Sequence, residues 1–187
     1  LDPGANELIT HTVDGVSRMQ GLIEDLLAYA RVSSRGHESA PVDLGHALDQ
    51  AVSNLAAALS DSGGHVTRAL LPVVRGDAGQ LAQLLQNLVG NSLKFCGSVA
   101  PVVHVSASLE QEHWHVQVAD NGIGIEPRHF DRIFEMFQRL HTRTQYPGSG
   151  IGLAIARRIV ERHDGRIWLE SEPGRGTTMH FTIRADR

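Results

Sequence analysis

The chain has 187 residues, 41% hydrophobic and 20% charged, with a formal net charge of −4, eleven histidines and one cysteine. That is enough for one sizeable core plus an appendage, and the balance excludes a disordered segment. The negative charge argues against a general nucleic-acid binder, no apolar run reaches the ~18 residues of a membrane span, and a lone Cys96 excludes an internal disulfide and fits a reducing, cytoplasmic compartment.

The chain begins at Leu1, without methionine or signal peptide, and reads as a piece of something longer. Asp2-Pro3 reads as an N-cap followed by proline at the first helical position. Apolar residues then recur at Ile9, Val16, Ile23 and Ala30, with Met19 and Leu26 between them and Leu8, Val13, Leu22 and Leu27 widening the stripe. The spacing predicts one long helix over about 5–32, with a broad apolar face that needs a partner. That partner is either the following domain or, as the length and seam favour, a helical bundle shared with a second subunit.

Ser33 to Pro41 reads as a polar linker, followed by a helix from near Asp43 to Gly63-Gly64. "HVTRALLPVVRGD" is strand-like but broken by Pro72, and 78–95 is a strongly apolar helix. "VVHVSASLE" and "WHVQVAD" alternate as two antiparallel strands, "EPRHFDRIFEMF" reads as a short helix, and "RIWLES" and "GTTMHFTI" close the chain as strands around Glu172-Pro173-Gly174. Adjacent antiparallel strands with helices between the sets define an α+β class, a sheet with helices on one face.

Three stretches offer chemistry. In "VADNGIGIEP", Asp120 ends a strand ahead of Gly122 and Gly124. A strand-end carboxylate in an apolar pocket accepts from the exocyclic amine of adenine and rejects guanine, and glycines let a flat base lie on backbone. Asp-Asn-Gly is equally a hairpin turn signal. In "QNLVGNSLKF", Asn87, Asn91 and Lys94 share one helical face opposite Leu84, Leu85, Leu88 and Val89. Such amides suit Mg²⁺, which takes few protein ligands alongside phosphate oxygens and water, and a lysine suits phosphate; the alternative is a solvated polar face. In "YPGSGIGLAIARRIVERHDG", Gly148, Gly150 and Gly152 run into a helix start. Unpaired N–H groups there attract anions, but no Walker lysine follows and no strand precedes, so a plain loop ending in a C-cap glycine at Gly165 competes with a phosphate site. His113 and His115 share a strand face that could hold metal with His104 opposite, although an exposed alternating face explains them as well. Cys96 reads as a small helix-end residue.

Taken in order, "QNLVGNSLKF", "DNGIGI", "FEMF", "GSGIGLAIARRIVERHDG" and "GRGTTMHF" resemble the N, G1, F, G2 and final glycine-threonine boxes of sensor histidine kinases. "DGVSRMQGLIEDLLAYARV" resembles the second helix of their dimerisation and phosphotransfer hairpin, and the wording around the G2 box is most similar to the kinase modules of bacterial phytochromes. The resemblance implies residues 1–36 as that helix and linker, and 37–187 as a catalytic ATP-binding domain with the two-layer Bergerat-type sandwich. It implies that Asp120 reads adenine with Thr177 through water, that Asn91 holds Mg²⁺ beside Asn87, that Lys94 meets phosphate, and that Phe95 flanks the base. Gly148, Gly150 and Gly152 would hinge a lid over about 138–149, with Tyr146 and Leu153 at the nucleotide. Arg139 or Arg143 would reach the γ-phosphate, and Phe130, Phe134 and Phe137 would anchor the lid by packing.

The implied partners are a second copy of the chain through the helical bundle, a response-regulator receiver domain and an upstream sensor module, with no nucleic acid. In ATP-hydrolysing relatives of gyrase, mismatch-repair and chaperone type, a glutamate precedes the metal asparagine by one turn and activates water. Here that place holds Asn87, an amide that cannot act as a base. A phosphotransferase is therefore expected, with a nucleotide-binding module lacking transfer activity as the alternative and a hydrolytic machine disfavoured. No histidine is followed by an acidic residue and then proline, so the acceptor box is missing; His11 lacks that context and reads as a surface residue.

Overall fold

The structure, a computed structural model, describes residues 3–34, 39–140, 145–146 and 148–185. Helix α1 (Pro3–Ser34) is the long helix the periodicity predicts. Its apolar face divides in two. Leu22, Ala28, Tyr29 and Val32 pack on the core, whereas Ile9, Val13, Val16, Met19, Ile23, Leu26 and Leu27 stay exposed.

Strand β1 (Ala40–Asp43) begins inside the segment read as linker and pairs antiparallel with β3 (Val73–Gly76). Asp43 then caps α2 (Leu44–Asn54), its Oδ1 accepting from Gly45 N at 2.7 Å and His46 N at 3.2 Å. The helix expected to run to Gly63 breaks at Leu55 (φ −98°, ψ 9°) and resumes as α3 (Ala56–Ser62). The break sets Leu55 over Gly90 of α4 (Ala78–Lys94) and lets Asn54 donate to Gln86 Oε1 at 2.9 Å. Tertiary packing, which periodicity does not encode, therefore decides that boundary.

Pro72 separates two strands of different sheets. β2 (His65–Arg68) joins the main sheet and β3 the small one. The main sheet has the order β2-β4-β5-β7-β6, with β4 (Val102–Glu110), β5 (His113–Asp120), β6 (Ile167–Glu172) and β7 (Gly176–Arg184). Its pairs are antiparallel except β2 with β4, which is parallel, so the sheet is mixed rather than built of antiparallel pairs alone.

Helices α2, α4 and α5 (Gly152–Arg162) cover one face. Leu84, Leu85, Leu88 and Val89 of α4 meet Val103, Val105, Val116, Val118, Phe181 and Ile183 of the sheet, all buried. This is the expected α+β two-layer sandwich. "EPRHFDRIFEMF" forms two 3-10 turns, Pro127–His129 and Arg132–Phe134, instead of a helix, because burying Ile133 and Phe134 fixes a tighter path. After α5 the left-handed residue is Asp164 (φ 55°), not Gly165; Gly165 is required because a Cβ there would lie 1.8 Å from the Thr182 carbonyl oxygen.

Candidate functional site

A cavity of about 300 Å³ opens between α4, the end of β5, the loop after it and the start of α5. Asp120, Asn87, Asn91, Lys94, Phe95, Gly124, Tyr146, Gly148, Gly150, Gly152, Leu153 and Thr177 all line it, so segments 90 residues apart in sequence meet as the motifs anticipate.

Asp120 is held from three elements. Its Oδ1 accepts from Gly122 N at 2.9 Å and Thr177 N at 3.0 Å, and its Oδ2 accepts from Ser92 Oγ at 2.9 Å. Ser171 Oγ donates its single proton to Gly176 O at 2.8 Å and accepts from Ile125 N at 2.8 Å. The 2.8 Å contact between Ser171 and Thr177 hydroxyls therefore has Thr177 as donor, which leaves Thr177 Oγ1 an acceptor. The apolar bottom of the cavity thus presents acceptors with fixed orientation. Ser92 and Ser171 escaped sequence reasoning; Ser92, inside the N box, sits one residue from a predicted ligand, and that adjacency was the available signal.

The glycines after Asp120 serve the protein's own backbone. A Cβ on Gly122 would fall 2.5 Å from Phe95 O, and one on Gly124 (φ 72°) 2.1 Å from Glu172 O. Ile123 N donates to Phe95 O at 2.9 Å and Gly174 N to Ile123 O at 2.8 Å, so the loop is clamped between the end of α4 and the β6–β7 turn. Gly122 itself is not among the residues lining the cavity.

Lys94 and Arg139 make part of the lining cationic. Lys94 Nζ lies 4.6 Å from the Phe95 ring centroid, and Phe95 meets Tyr146 with centroids 4.9 Å apart. Burial, and secondly the Arg139 guanidinium, hold Lys94 below the usual lysine range. Among the described residues no carboxylate pairs with Lys94. Arg139 turns to backbone close by in sequence, donating to Tyr146 O at 2.6 Å and to Gly148 O. Arg143 lies outside the described residues. Gly148 (φ 141°) and Gly150 (φ 78°) occupy backbone regions that suit glycine, whereas Gly152 is the first residue of α5. No side chain caps α5, so its N–H groups stay available at the cavity.

Asn87 Nδ2 is buried there without a partner. Among the described residues no three His, Cys, Asp or Glu side chains could hold a metal. The donor set at Asn87 and Asn91 thus fits a cation that keeps water and phosphate ligands rather than one caged by protein.

Of the remaining candidates, Phe134 is buried and Phe130 packs on the core, but Phe137 is 54% exposed with φ 64° and does not anchor by packing. His11 is exposed, as expected of a surface residue. His115 does not meet His113 or His104. Its Nδ1 donates to Glu110 Oε1 at 2.7 Å, its Nε2 accepts from His180 Nδ1 at 3.0 Å, and Trp168 stacks on both rings. Cys96 is half-buried at the end of α4.

A fixed acid, two amides, a lysine and an uncapped helix start thus line one cavity on a mixed α+β sandwich. Residues 76–187 match the family described as histidine kinase-, DNA gyrase B- and HSP90-like ATPases, and the chain belongs to it. It is 48% identical to cyanobacterial phytochrome A of Nostoc sp. (strain PCC 7120) over 98% of its length and 24% of that protein's, so it spans about a quarter of that relative. The structure titled ShkA full-length in complex with AMPPNP superposes on the whole chain and 40% of that protein with a TM-score of 0.79 at 29% identity. The mycobacterial sensor histidine kinase MprB superposes on 78% of the chain and 97% of that protein, with a TM-score of 0.67 at 27% identity. Within the family, the chain is an ATP-binding domain of sensor histidine kinase type. No helix among the described residues is long and apolar enough to cross a membrane.

Proposed function

We propose that the chain binds ATP·Mg²⁺ as the catalytic part of a sensor histidine kinase, whose γ-phosphoryl group passes to a histidine and then to a response-regulator aspartate. The observation that carries this reading is the pairing in one cavity lining of Asp120, tethered by three donors, with Lys94, which has no paired carboxylate among the described residues. Asp120 accepts from the adenine amine, with Thr177 Oγ1 as a second acceptor for a water or the base edge. Asn91 ligates Mg²⁺, and Asn87 Nδ2 donates to a phosphate oxygen or a metal-bound water. Lys94 and the N–H groups of α5 neutralise phosphate. Bound Mg²⁺ supplies charge neutralisation of the phosphates.

Residues 1–36 form the bundle helix and linker, and 37–187 the catalytic domain, working in the cytoplasm. The exposed stripe of α1 from Ile9 to Leu27 fits a second copy through a helical bundle, and a receiver domain takes the phosphoryl group. An upstream module supplies the signal. With Asn87 where hydrolytic relatives carry a base, steady ATP hydrolysis is slow.

Calorimetry with ATP and Mg²⁺ tests the reading. The chain binds, Asp120→Asn binds about tenfold more weakly or worse, and the chain alone gains no acid-labile phosphate, His11 included. Binding untouched by Asp120→Asn, or steady phosphate release lost in Asn87→Ala, would overturn it.

A further inference from the structure

Among the described residues, helix α1 contributes one to the nucleotide cavity, Asp25. Leu22, Asp25, Tyr29 and Val32 follow steps of three and four and so share one helical face. That face docks the helix: Leu22 and Tyr29 pack on the core, Val32 is buried, and Arg162 of α5 donates to Val32 O. Asp25 is the only charged member of the stripe. It is half-buried, and among the described residues it makes no ion pair. Apolar packing of its neighbours, rather than attraction of its own, therefore holds a carboxylate in the lining of a cavity that also contains Lys94 and Arg139.

We propose that Asp25 is a specificity-determining residue of this cavity, whose carboxylate, held in place while α1 is docked, disfavours a nucleoside triphosphate relative to a diphosphate. The inference rests on the nucleotide-binding reading above. Like charges in a partly desolvated cavity repel, and a triphosphate brings one more negative charge than a diphosphate. By linkage, a bound triphosphate weakens α1 docking as much as docking weakens its binding.

The test is calorimetry of ATP and ADP, each with and without Mg²⁺, on the whole chain, on Asp25→Asn and Asp25→Ala, and on Glu24→Gln. Glu24 is the adjacent exposed acid, bonded to Gln20 at 3.1 Å and absent from the cavity lining, so its substitution makes the same charge change elsewhere. Both Asp25 variants should tighten ATP by roughly three- to tenfold and ADP by less than about twofold. The gap should shrink as salt is raised, and Glu24→Gln should leave the ATP/ADP ratio unchanged. An unaltered ratio in both Asp25 variants overturns the proposal. So does weaker ATP·Mg²⁺ binding, which would make Asp25 a ligand. If the unaltered chain binds neither nucleotide, the nucleotide reading itself fails, a result distinct from an unaltered ratio.

Discussion

Ser92 Oγ donates to Asp120 Oδ2 at 2.9 Å, joining the last turn of α4 to the end of β5. With Gly122 N and Thr177 N on the other oxygen, the carboxylate has little freedom to turn. Asp120→Asn replaces an acceptor with an amide that must present its N–H₂ to existing donors. Nucleotide affinity should fall about tenfold or more, whereas Ser92→Ala, which only loosens the carboxylate, should cost about 0.5–1.5 kcal/mol of binding. Calorimetry gives both numbers, and unchanged circular dichroism separates them from unfolding.

Lys94 predicts an alkaline loss of affinity. Burial and Arg139 lower its pKa in the free protein, and a bound polyphosphate raises it again, so binding takes up a proton wherever the free lysine is neutral. Affinity should decline with rising pH before the ordinary lysine value of 10.5 is reached, and Lys94→Arg should remove the decline. Titration from pH 7 to 10 checks this. An identical slope in both proteins would assign it elsewhere.

His180 predicts an acid loss of stability. Desolvation lowers its pKa and His115 adds to that, against the pull of Glu170, whose Oε2 lies 3.9 Å from the otherwise unpartnered Nε2. Glu110 faces the group through His115, and Trp168 stacks against it. A histidine depressed in the folded state binds its proton more readily when unfolded. Its contribution is therefore complete above the ordinary value of 6.5 and is lost as pH falls through the folded value. Thermal midpoints should drop between pH 7 and pH 5, and less steeply in His180→Gln.

His163 ties the helix layer together. It is buried, its Nδ1 donates to Ile159 O at 2.7 Å, and its Nε2 accepts from Asp77 N at 3.1 Å, which links the end of α5 to the N-cap of α4. His163→Leu leaves the Asp77 N–H without that acceptor and should cost about 1–3 kcal/mol in denaturant unfolding.

Much of this was legible beforehand because local rules and tertiary demands agree. The period-2 pattern of β4 and β5 gave a hairpin whose register aligns Glu110 with His113. The 3.6-residue pattern of α4 put Leu84, Leu85, Leu88 and Val89 inside and Asn87, Asn91 and Lys94 at the cavity. Where elements are short, pattern is weak. β1 is four residues long, and its partner β3 lies 33 positions away, so no local signal distinguished it from a linker. The glycines after Asp120 read as room for a flat base, whereas the groups that approach them are the carbonyls of Phe95 and Glu172, which only the folded loop brings near.

The sequence by itself determined the class of fold, the ordered boxes and the residue types that face the cavity, because periodicity and residue chemistry are local properties. Only the tertiary structure decided which donors fix Asp120, that Arg139 turns back on the carbonyls of Tyr146 and Gly148, that His115 meets His180 across two strands, and that Asp25 reaches the cavity from α1. Each of those depends on two segments far apart in the chain arriving at one place, which is set by packing and not by spacing along the polypeptide.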